Sequence, residues 1–251
     1  WYYFGGYAQT VSKLQKEAKA LVRASDEGTF RSVETSMVYD ANGTLVSTLK
    51  GEKDVYYLEY DEIPAYAPAA MVSIEDKKFY SHNGIDVKAI LRAAKAMIQN
   101  GKVTQGGSTI TQQLARNIYL NQDIKWERKI EEMFIAVELE KIYSKNKIME
   151  FYLNNIYFGN GYYGIQAASR GYFNTDVNNL DLSQIAFLCA IPNNPTLYDP
   201  VQHPENTIKR RDRILNQMKD DGKIQVDTCE DAKAEEIVLN RPQKTKSDYV
   251  E

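Results

Sequence analysis

The feature that most constrains the fold is a long stretch of helical periodicity that begins after Pro68 and continues to about residue 220. Apolar residues three and four positions apart line one face of an α-helix, whereas strands alternate with a period of two. Two irregular segments interrupt the pattern, the glycine-rich "YFGNGYYG" of residues 157–164 and the proline-bracketed "IPNNPTLYDP" of residues 191–200. The sequence therefore predicts a mainly α-helical fold.

The N-terminal part of the chain follows other patterns. Residues 7–25 have the spacing of a polar helix with one apolar stripe, formed by Val11, Leu14, Ala18 and Leu21. The segment "MVYDANGTLVSTL" places Asn-Gly between two alternating apolar runs, which predicts a short β-hairpin. We divide the chain into a stalk helix (1–33), a β-hairpin region (34–60), a helical domain (61–220) and a polar linker (221–251).

Length and charge exclude several classes of function. A chain of 251 residues can bury a substantial core, in one large domain or in one domain with appendages. A net charge of -3 without long basic runs argues against a protein that binds nucleic acid by neutralising phosphates. Cys189 and Cys229 are too few and too far apart for a zinc motif or a disulfide framework, and the apolar run around Cys189 predicts a core position.

The hydropathy pattern offers no membrane span, because no run of about eighteen apolar residues occurs. The opening "WYYFGGYAQ" is nevertheless aromatic, and Trp and Tyr favour the interface between membrane and water. We interpret this opening as the outer edge of a longer apolar segment.

The segment "GGSTITQQLARN", residues 106–117, predicts the start of a helix. Its glycines allow close backbone approach, and Thr109 with Gln112 has the spacing of a capping box. Free N–H groups at a helix start, with Arg116 further along, favour an anion such as phosphate. Taken alone, these residues favour an ordinary capped helix with an exposed arginine, and the Gly-Lys-Ser/Thr of a Walker loop is absent.

Glu75 shares one face of a predicted helix with the apolar residues Met71, Val72 and Phe79. A buried carboxyl group without a counter-charge is a candidate acid or base near neutral pH. The alternative is a solvent-exposed ion pair with Lys78, one turn further on.

Glu132 lies in "WERKIEEMFIAVELEKIY", a segment apolar on several sides of its predicted helix. Arg128 and Lys129 precede it by four and three residues, so its carboxylate is expected to stay charged. The alternative is a local ion pair worth only a few tenths of a kcal/mol. One carboxyl group for proton transfer and one kept charged is a division of labour seen in glycosyl transfer.

Three motifs in order then resemble those of the peptidoglycan glycosyltransferases, glycosyltransferase family 51, found in class A penicillin-binding proteins and in monofunctional enzymes. The motif EDxxFxxHxG corresponds to Glu75, Asp76, Phe79, His82 and Gly84, GGSTITQQ to residues 106–113, and RKxxE to Arg128, Lys129 and Glu132. The segments "KIMEFYLNNIYFGNGYYGIQAAS" and "HPENTIKRRDRILNQM" extend the resemblance, which runs from about Val38 to Met218.

The resemblance implies a mainly α, lysozyme-like, two-lobed domain that polymerises lipid II into β-1,4-linked glycan strands for the bacterial cell wall. Glu75 would be the general base and Glu132 the second catalytic carboxylate. The implied substrate-binding residues are Asp76, Arg92, Ser108, Gln112, Arg116, Asn117, Arg128 and Lys129. Arg116 departs from the family pattern, in which lysine is usual, but it keeps the positive charge.

The resemblance also implies the surroundings of the reaction. A divalent cation, Mg²⁺ or Mn²⁺, would bridge phosphates with a carboxylate, its site is unknown, and no organic cofactor is expected. Expected partners are lipid II, the growing glycan chain, the membrane surface, cell-wall elongation or division proteins, and phosphoglycolipid inhibitors of the moenomycin type, but not nucleic acid. The chain is expected at the extracytoplasmic face of the plasma membrane, with residues 1–33 next to an N-terminal transmembrane anchor and residues 221–251 leading to a transpeptidase domain.

Two other functions compete with polymerisation. Lysozyme-like folds also support glycan-cleaving hydrolases and lytic transglycosylases, but those enzymes lack the second and third motifs. A non-catalytic scaffold that binds the lipid precursor is the other rival, and the presence of both Glu75 and Glu132 argues against it.

Overall fold

The computed structural model describes residues 2–31, 36–39, 45–49, 56–100, 107–120 and 126–242. Within these ranges the fold is mainly helical, which confirms the predicted class. The helices are α1 (Tyr2–Ala24), α2 (Tyr66–Glu75), α3 (Val87–Asn100), α4 (Ile110–Tyr119), α5 (Trp126–Ile142), α6 (Lys145–Asn155), α7 (Ile165–Phe173), α8 (Leu182–Ala190), α9 (Pro204–Asp220) and α10 (Val226–Ala234).

Two short strands pair where the alternating sequence pattern predicts a hairpin. Strands β1 (Ser36–Tyr39) and β2 (Leu45–Leu49) run antiparallel, with Met37 opposite Thr48. The register shifts between Val38 and Tyr39, as at a β-bulge. The predicted Asn-Gly turn lies outside the described residues.

The chain forms two compact units that alternate along the sequence. The first combines Trp1–Ser32 with Met71–Asn155, and the second combines Val33–Ala70 with Ile156–Glu251. Each unit is therefore built from segments that are distant in the chain.

In the first unit α5 packs against α1 and α4, and α4 also packs against α6. Phe30, which follows α1, stacks on Phe151 of α6 with ring centroids 4.0 Å apart, and both rings are fully buried. On α1 the predicted apolar stripe is only partly right, because Ala18 and Val22 are buried while Leu21 is 38% exposed. The buried face of α1, which packs against α5, is therefore rotated by about one residue from the predicted stripe.

In the second unit α8 lies at the centre, with α9 packed against it and α10 against α9. Most of α8 is buried, and Cys189 lies in the core as predicted. The buried Arg211 of α9 donates hydrogen bonds to Ser183 Oγ and to the carbonyls of Lys233 and Glu235, at 2.9–3.0 Å. These bonds hold the C-terminal end of α10 in place.

The extended segment after α10 is held as well. The backbone N–H of Asn240 donates to the carbonyl of Tyr172 at 2.9 Å. Among the helices that the structure describes, we find none that is both long and apolar enough to span a membrane.

Candidate active site

The N-terminal end of α4 is stabilised by a complete capping box, as the sequence predicts. Thr109 Oγ1 accepts the Gln112 N–H at 3.1 Å, and Gln112 Oε1 accepts the Thr109 N–H at 3.0 Å. The Thr109 hydroxyl also donates to the carbonyl of Gly84 at 2.6 Å. This helix start is therefore held by its own side chains and by the loop that follows α2.

Gly84 makes that loop possible. Its φ of +89° is one that side chains with a Cβ rarely adopt, and a Cβ at this position would lie 2.7 Å from backbone atoms of Ala136 and Val137. The glycine thus lets the loop touch the backbone of α5 directly. Its carbonyl remains positioned for Thr109.

Glu132 lies within the interior of the first unit, with no exposed surface. Its Oε1 accepts a hydrogen bond from Gln112 Nε2 at 3.3 Å and is also paired with Lys129 Nζ. Lys129 Nζ in turn donates to Ser108 Oγ at 2.7 Å. The other carboxylate oxygen, Oε2, is buried and has no hydrogen-bond partner within the described part of the chain.

Of the two cations predicted beside Glu132, Lys129 forms the ion pair. Arg128, in contrast, has a buried Nε that finds no acceptor in the described ranges. A buried guanidinium donor without an acceptor is costly unless a ligand provides one. The described protein groups therefore leave the Nε donor of Arg128 unpaired.

Glu75 is the last residue of α2 and is half-buried. Its Oε2 accepts a hydrogen bond from Gln113 Nε2 at 3.2 Å. Gln113 Oε1 accepts from the hydroxyl of Tyr152, on α6, at 3.1 Å. The two glutamates are thus held by neighbouring glutamines of one helix, Glu75 by Gln113 and Glu132 by Gln112.

Asp76 belongs to a second, buried network. Its Oδ2 accepts the Ile110 N–H of α4 at 3.0 Å and lies 2.8 Å from His82 Nε2. The carboxylate of Asp76 thus links the loop after Glu75 to the start of α4. With its side chain 4% exposed, this carboxylate is engaged with protein groups.

The other side of His82 faces Glu140 and Lys145. Lys145 Nζ lies 2.7 Å from Glu140 Oε2 and 3.4 Å from His82 Nδ1, and Thr111 Oγ1 donates to Glu140 Oε1 at 2.5 Å. Burial lowers the pKa of Lys145, although the hydrogen bond and charge of Glu140 oppose the shift. Through Thr111, Glu140 and Lys145 this network connects α4, α5 and α6.

The remaining predicted residues lie outside these two networks. Arg116 is half-buried and Asn117 exposed near the end of α4, and Arg92 is exposed on α3. Within the described ranges, no hydrogen bond or ion pair joins these three residues to Glu75 or Glu132. Gly106 lies outside the described residues.

Several residues of the site were not predicted from the sequence as contacts. Gln113, Glu140, Lys145 and Tyr152 reach the motif residues only through the tertiary fold. Gln113 belongs to the GGSTITQQ motif, so its place in the motif was the one available signal. A second signal exists for Glu140, which lies eight residues after Glu132 in the same helix and can therefore lie on the same face of that helix.

The arrangement combines a half-buried carboxylate that solvent can reach, a buried carboxylate with an adjacent cation, and an arginine Nε that has no acceptor among the described residues. Such a set can accept a proton at one point and stabilise negative charge at another.

Comparisons with known proteins identify the family of this chain. A family profile described as "Transglycosylase" matches residues 42–219. The chain belongs to the transglycosylase family. Penicillin-binding protein 1A of Aquifex aeolicus is 42% identical over 217 residues, which are 86% of this chain and 30% of the relative. Penicillin-binding protein 1F of Bacillus subtilis is 47% identical over 190 residues, or 76% of this chain and 26% of the relative.

This transglycosylase chain thus spans about a third or less of the curated relatives that it matches. A crystal structure of penicillin-binding protein 1A from Haemophilus influenzae superposes on 82% of this chain and 21% of that chain, with 19% identity and a TM-score of 0.46. The family membership rests on the sequence matches.

Proposed function

We propose that this transglycosylase chain polymerises lipid II into β-1,4-linked glycan strands and releases undecaprenyl pyrophosphate. The observation that carries the proposal is the pair of glutamates held by neighbouring glutamines at the start of α4. They occupy different environments, because Glu75 is half-buried and Glu132 is fully buried beside Lys129. Different environments suit different catalytic roles.

In the proposed step Glu75 accepts the proton of the acceptor's 4-hydroxyl. The freed oxygen forms a bond to C1 of the donor sugar, and the C1–O bond to the pyrophosphate breaks. The electron pair of that bond leaves with undecaprenyl pyrophosphate, and attack from the opposite face inverts the configuration at C1.

The leaving group needs positive charge and hydrogen-bond donors. Arg128 supplies a donor that has no acceptor in the described residues, and Lys129 is held nearby by Glu132 and Ser108. Arg116 adds a third cation on α4. We assign Arg128, Lys129 and Arg116 to the pyrophosphate, with Ser108, Gln112 and Asn117 as polar contacts.

A divalent cation fits this arrangement as a companion of the donor's phosphates. The described residues contain no cluster of three His, Cys, Asp or Glu side chains that could hold a metal on its own. The buried Oε2 of Glu132, which has no partner among those residues, is an oxygen of the kind that Mg²⁺ or Mn²⁺ accepts. Such an ion would neutralise charge on the pyrophosphate.

A lipid-linked donor requires the reaction to occur at a membrane surface. We propose the extracytoplasmic face of the plasma membrane, with elongation or division proteins as partners and moenomycin-type phosphoglycolipids as competitors for the donor site. The exposed rings of Tyr7 and Trp126, with centroids 5.5 Å apart, are suited to that interface.

The direct test incubates fluorescent lipid II with the wild-type chain and with Glu75→Gln, and separates the products on a gel. We expect a ladder from the wild type alone, and lysozyme should digest it. A ladder of equal intensity from Glu75→Gln would refute the role of Glu75, and release of fragments from preformed glycan would favour a cleaving enzyme.

A second variant, Arg128→Ala, tests the leaving-group assignment. We expect loss of polymerisation with an unchanged circular dichroism spectrum, because the Nε of Arg128 has no acceptor among the described residues. Lys141→Ala is the matched control, since it removes a cation from the same helix that is paired with Glu138 instead. Equal turnover in the two variants would show that Arg128 does not contact the leaving group.

A further inference from the structure

We infer that Tyr152 is a positioning residue for Glu75, acting through the side-chain amide of Gln113. The inference rests on the proposed function, because it assigns Glu75 the role of proton acceptor. Neither Tyr152 nor its hydroxyl was predicted from the sequence as part of the site.

The geometry forms a chain of two hydrogen bonds. The Tyr152 hydroxyl donates to Gln113 Oε1 at 3.1 Å, and Gln113 Nε2 donates to Glu75 Oε2 at 3.2 Å. The three residues come from three helices, α6, α4 and α2. The amide of Gln113 thus connects the hydroxyl to the carboxylate.

The side-chain amide of Gln113 has an oxygen that accepts and a nitrogen that donates hydrogen bonds. The Tyr152 hydroxyl matters because it fixes which of the two faces Glu75. With Oε1 held by Tyr152, the Nε2 hydrogens of Gln113 face Glu75 and stabilise its ionised form. If the amide turned over, Oε1 would face the carboxylate, and two acceptors would meet without a hydrogen between them. That orientation would favour a protonated Glu75, which cannot accept a proton.

The tyrosine is well placed to hold this orientation. It is 1% exposed and lies between Phe151 and Leu153, which are also fully buried, in a helix that packs against α4. A large ring in such surroundings has little freedom to rotate or shift. Its hydroxyl therefore presents a fixed point to Gln113.

The alternative is that Tyr152 only fills the core. In that case losing its hydroxyl would lower stability and leave the catalytic parameters of the folded protein unchanged. The two interpretations differ in kcat and in the pH dependence of the rate.

The experiment compares the wild-type chain with Tyr152→Phe in lipid II polymerisation. Tyr119→Phe is the matched control, because Tyr119 is a partly buried tyrosine of the same unit whose hydroxyl donates to Ser25 Oγ at 2.9 Å. We expect Tyr152→Phe to lower kcat by about five- to tenfold with little change in KM, and Tyr119→Phe to change neither. Melting temperatures of both variants would verify that they are folded.

The pH dependence of kcat separates the two interpretations, because loss of packing alone would not shift it. In Tyr152→Phe the acidic limb of kcat should move to higher pH by about one unit, because the amide no longer holds its donor towards Glu75. The contacts of Asp76 with His82 and of Glu132 with Lys129 involve neither residue 119 nor residue 152, so both variants are expected to retain them. An unchanged limb with an unchanged kcat would overturn the inference.

A double-mutant cycle with Gln113→Leu tests whether the effect passes through the amide. We expect Tyr152→Phe to have no further effect on kcat once the amide is gone. A full additional loss in the double variant would mean that Tyr152 acts by another route.

The inference can also be judged without turnover, which separates its failure from that of the proposed function. Protonation of Glu75 can be followed by ¹³C NMR of the labelled carboxyl groups, with Glu75→Gln to assign the signal. The midpoint should be higher in Tyr152→Phe than in wild type. If the wild type makes no glycan, the proposed function fails, whereas equal midpoints in wild type and Tyr152→Phe would refute the positioning role.

Discussion

Replacing Gly84 with alanine should destabilise the protein by two separable effects. The first is conformational, because Gly84 has a φ of +89°. The second is steric, because the new Cβ would lie 2.7 Å from the carbonyl carbon and oxygen of Ala136 and from the nitrogen of Val137. These are backbone atoms of α5, so no side-chain rotation can relieve the overlap.

The magnitudes follow from the two terms. A left-handed conformation costs a residue with a Cβ about 1–2 kcal/mol. Forcing a methyl group into a filled space costs about 1–3 kcal/mol more. Gly84→Ala should therefore reduce the free energy of unfolding by about 2–5 kcal/mol. Any movement that relieves the clash also shifts the Gly84 carbonyl away from Thr109, so the proposed glycan synthesis should fall as well.

Gly161→Ala is the matched control. Gly161 has a φ of +86°, but among the described residues, apart from its two chain neighbours, no heavy atom lies within 4 Å of the position that its Cβ would take. It should show the conformational cost of about 1–2 kcal/mol alone. Urea unfolding followed by circular dichroism reports on the helices of both units and measures each variant against wild type. If Gly84→Ala were no more destabilising than Gly161→Ala, the close approach to α5 would not exist as described.

Three further variants test other parts of the fold. Thr109→Val removes both hydrogen bonds of the capping hydroxyl and should cost about 2 kcal/mol, measured by urea unfolding, with faster amide exchange in the first turn of α4. Arg211→Leu should release the end of α10, so that trypsin cleaves there much faster than in Arg213→Leu, which removes an exposed arginine from the same helix. Burial disfavours the ionised form of Asp199, but backbone N–H groups more than compensate and lower its pKa below 3.8. The resulting stabilisation is present above about pH 4 and disappears as pH falls through the lowered pKa. Asp199→Asn should therefore be less stable than wild type by about 1 kcal/mol at pH 7, and equally stable at the acid end of the range. A series of urea titrations at different pH values measures both differences.

Local features of the site could be predicted from the sequence, because their partners lie within one helical turn. The capping box of Thr109 and Gln112 is set by a spacing of three residues, and it is present. The cations beside Glu132 show the limit of this reasoning. Spacings of three and four both suit a helix, so the sequence allows Lys129 and Arg128 alike, and the folded structure shows that Lys129 forms the pair.

The rest of the site depends on contacts between distant parts of the chain. Gln113 lies 38 residues from Glu75 and 39 from Tyr152, and no periodicity of one helix specifies which neighbour its amide will meet. The stripe on α1 was misjudged by about one residue for a related reason. Several faces of a polar helix can be drawn from one sequence, and the helix it packs against decides which becomes buried.

The neighbouring glutamines of α4 have a consequence for how this site can change during evolution. Gln112 and Gln113 follow each other in a rigid helix, so a substitution that tilts or slides α4 moves both at once. Glu75 and Glu132 would then be displaced together, so that one could not be repositioned without the other. Adaptation to a new donor or acceptor is therefore easier through residues that contact one glutamate alone than through the helix that serves both.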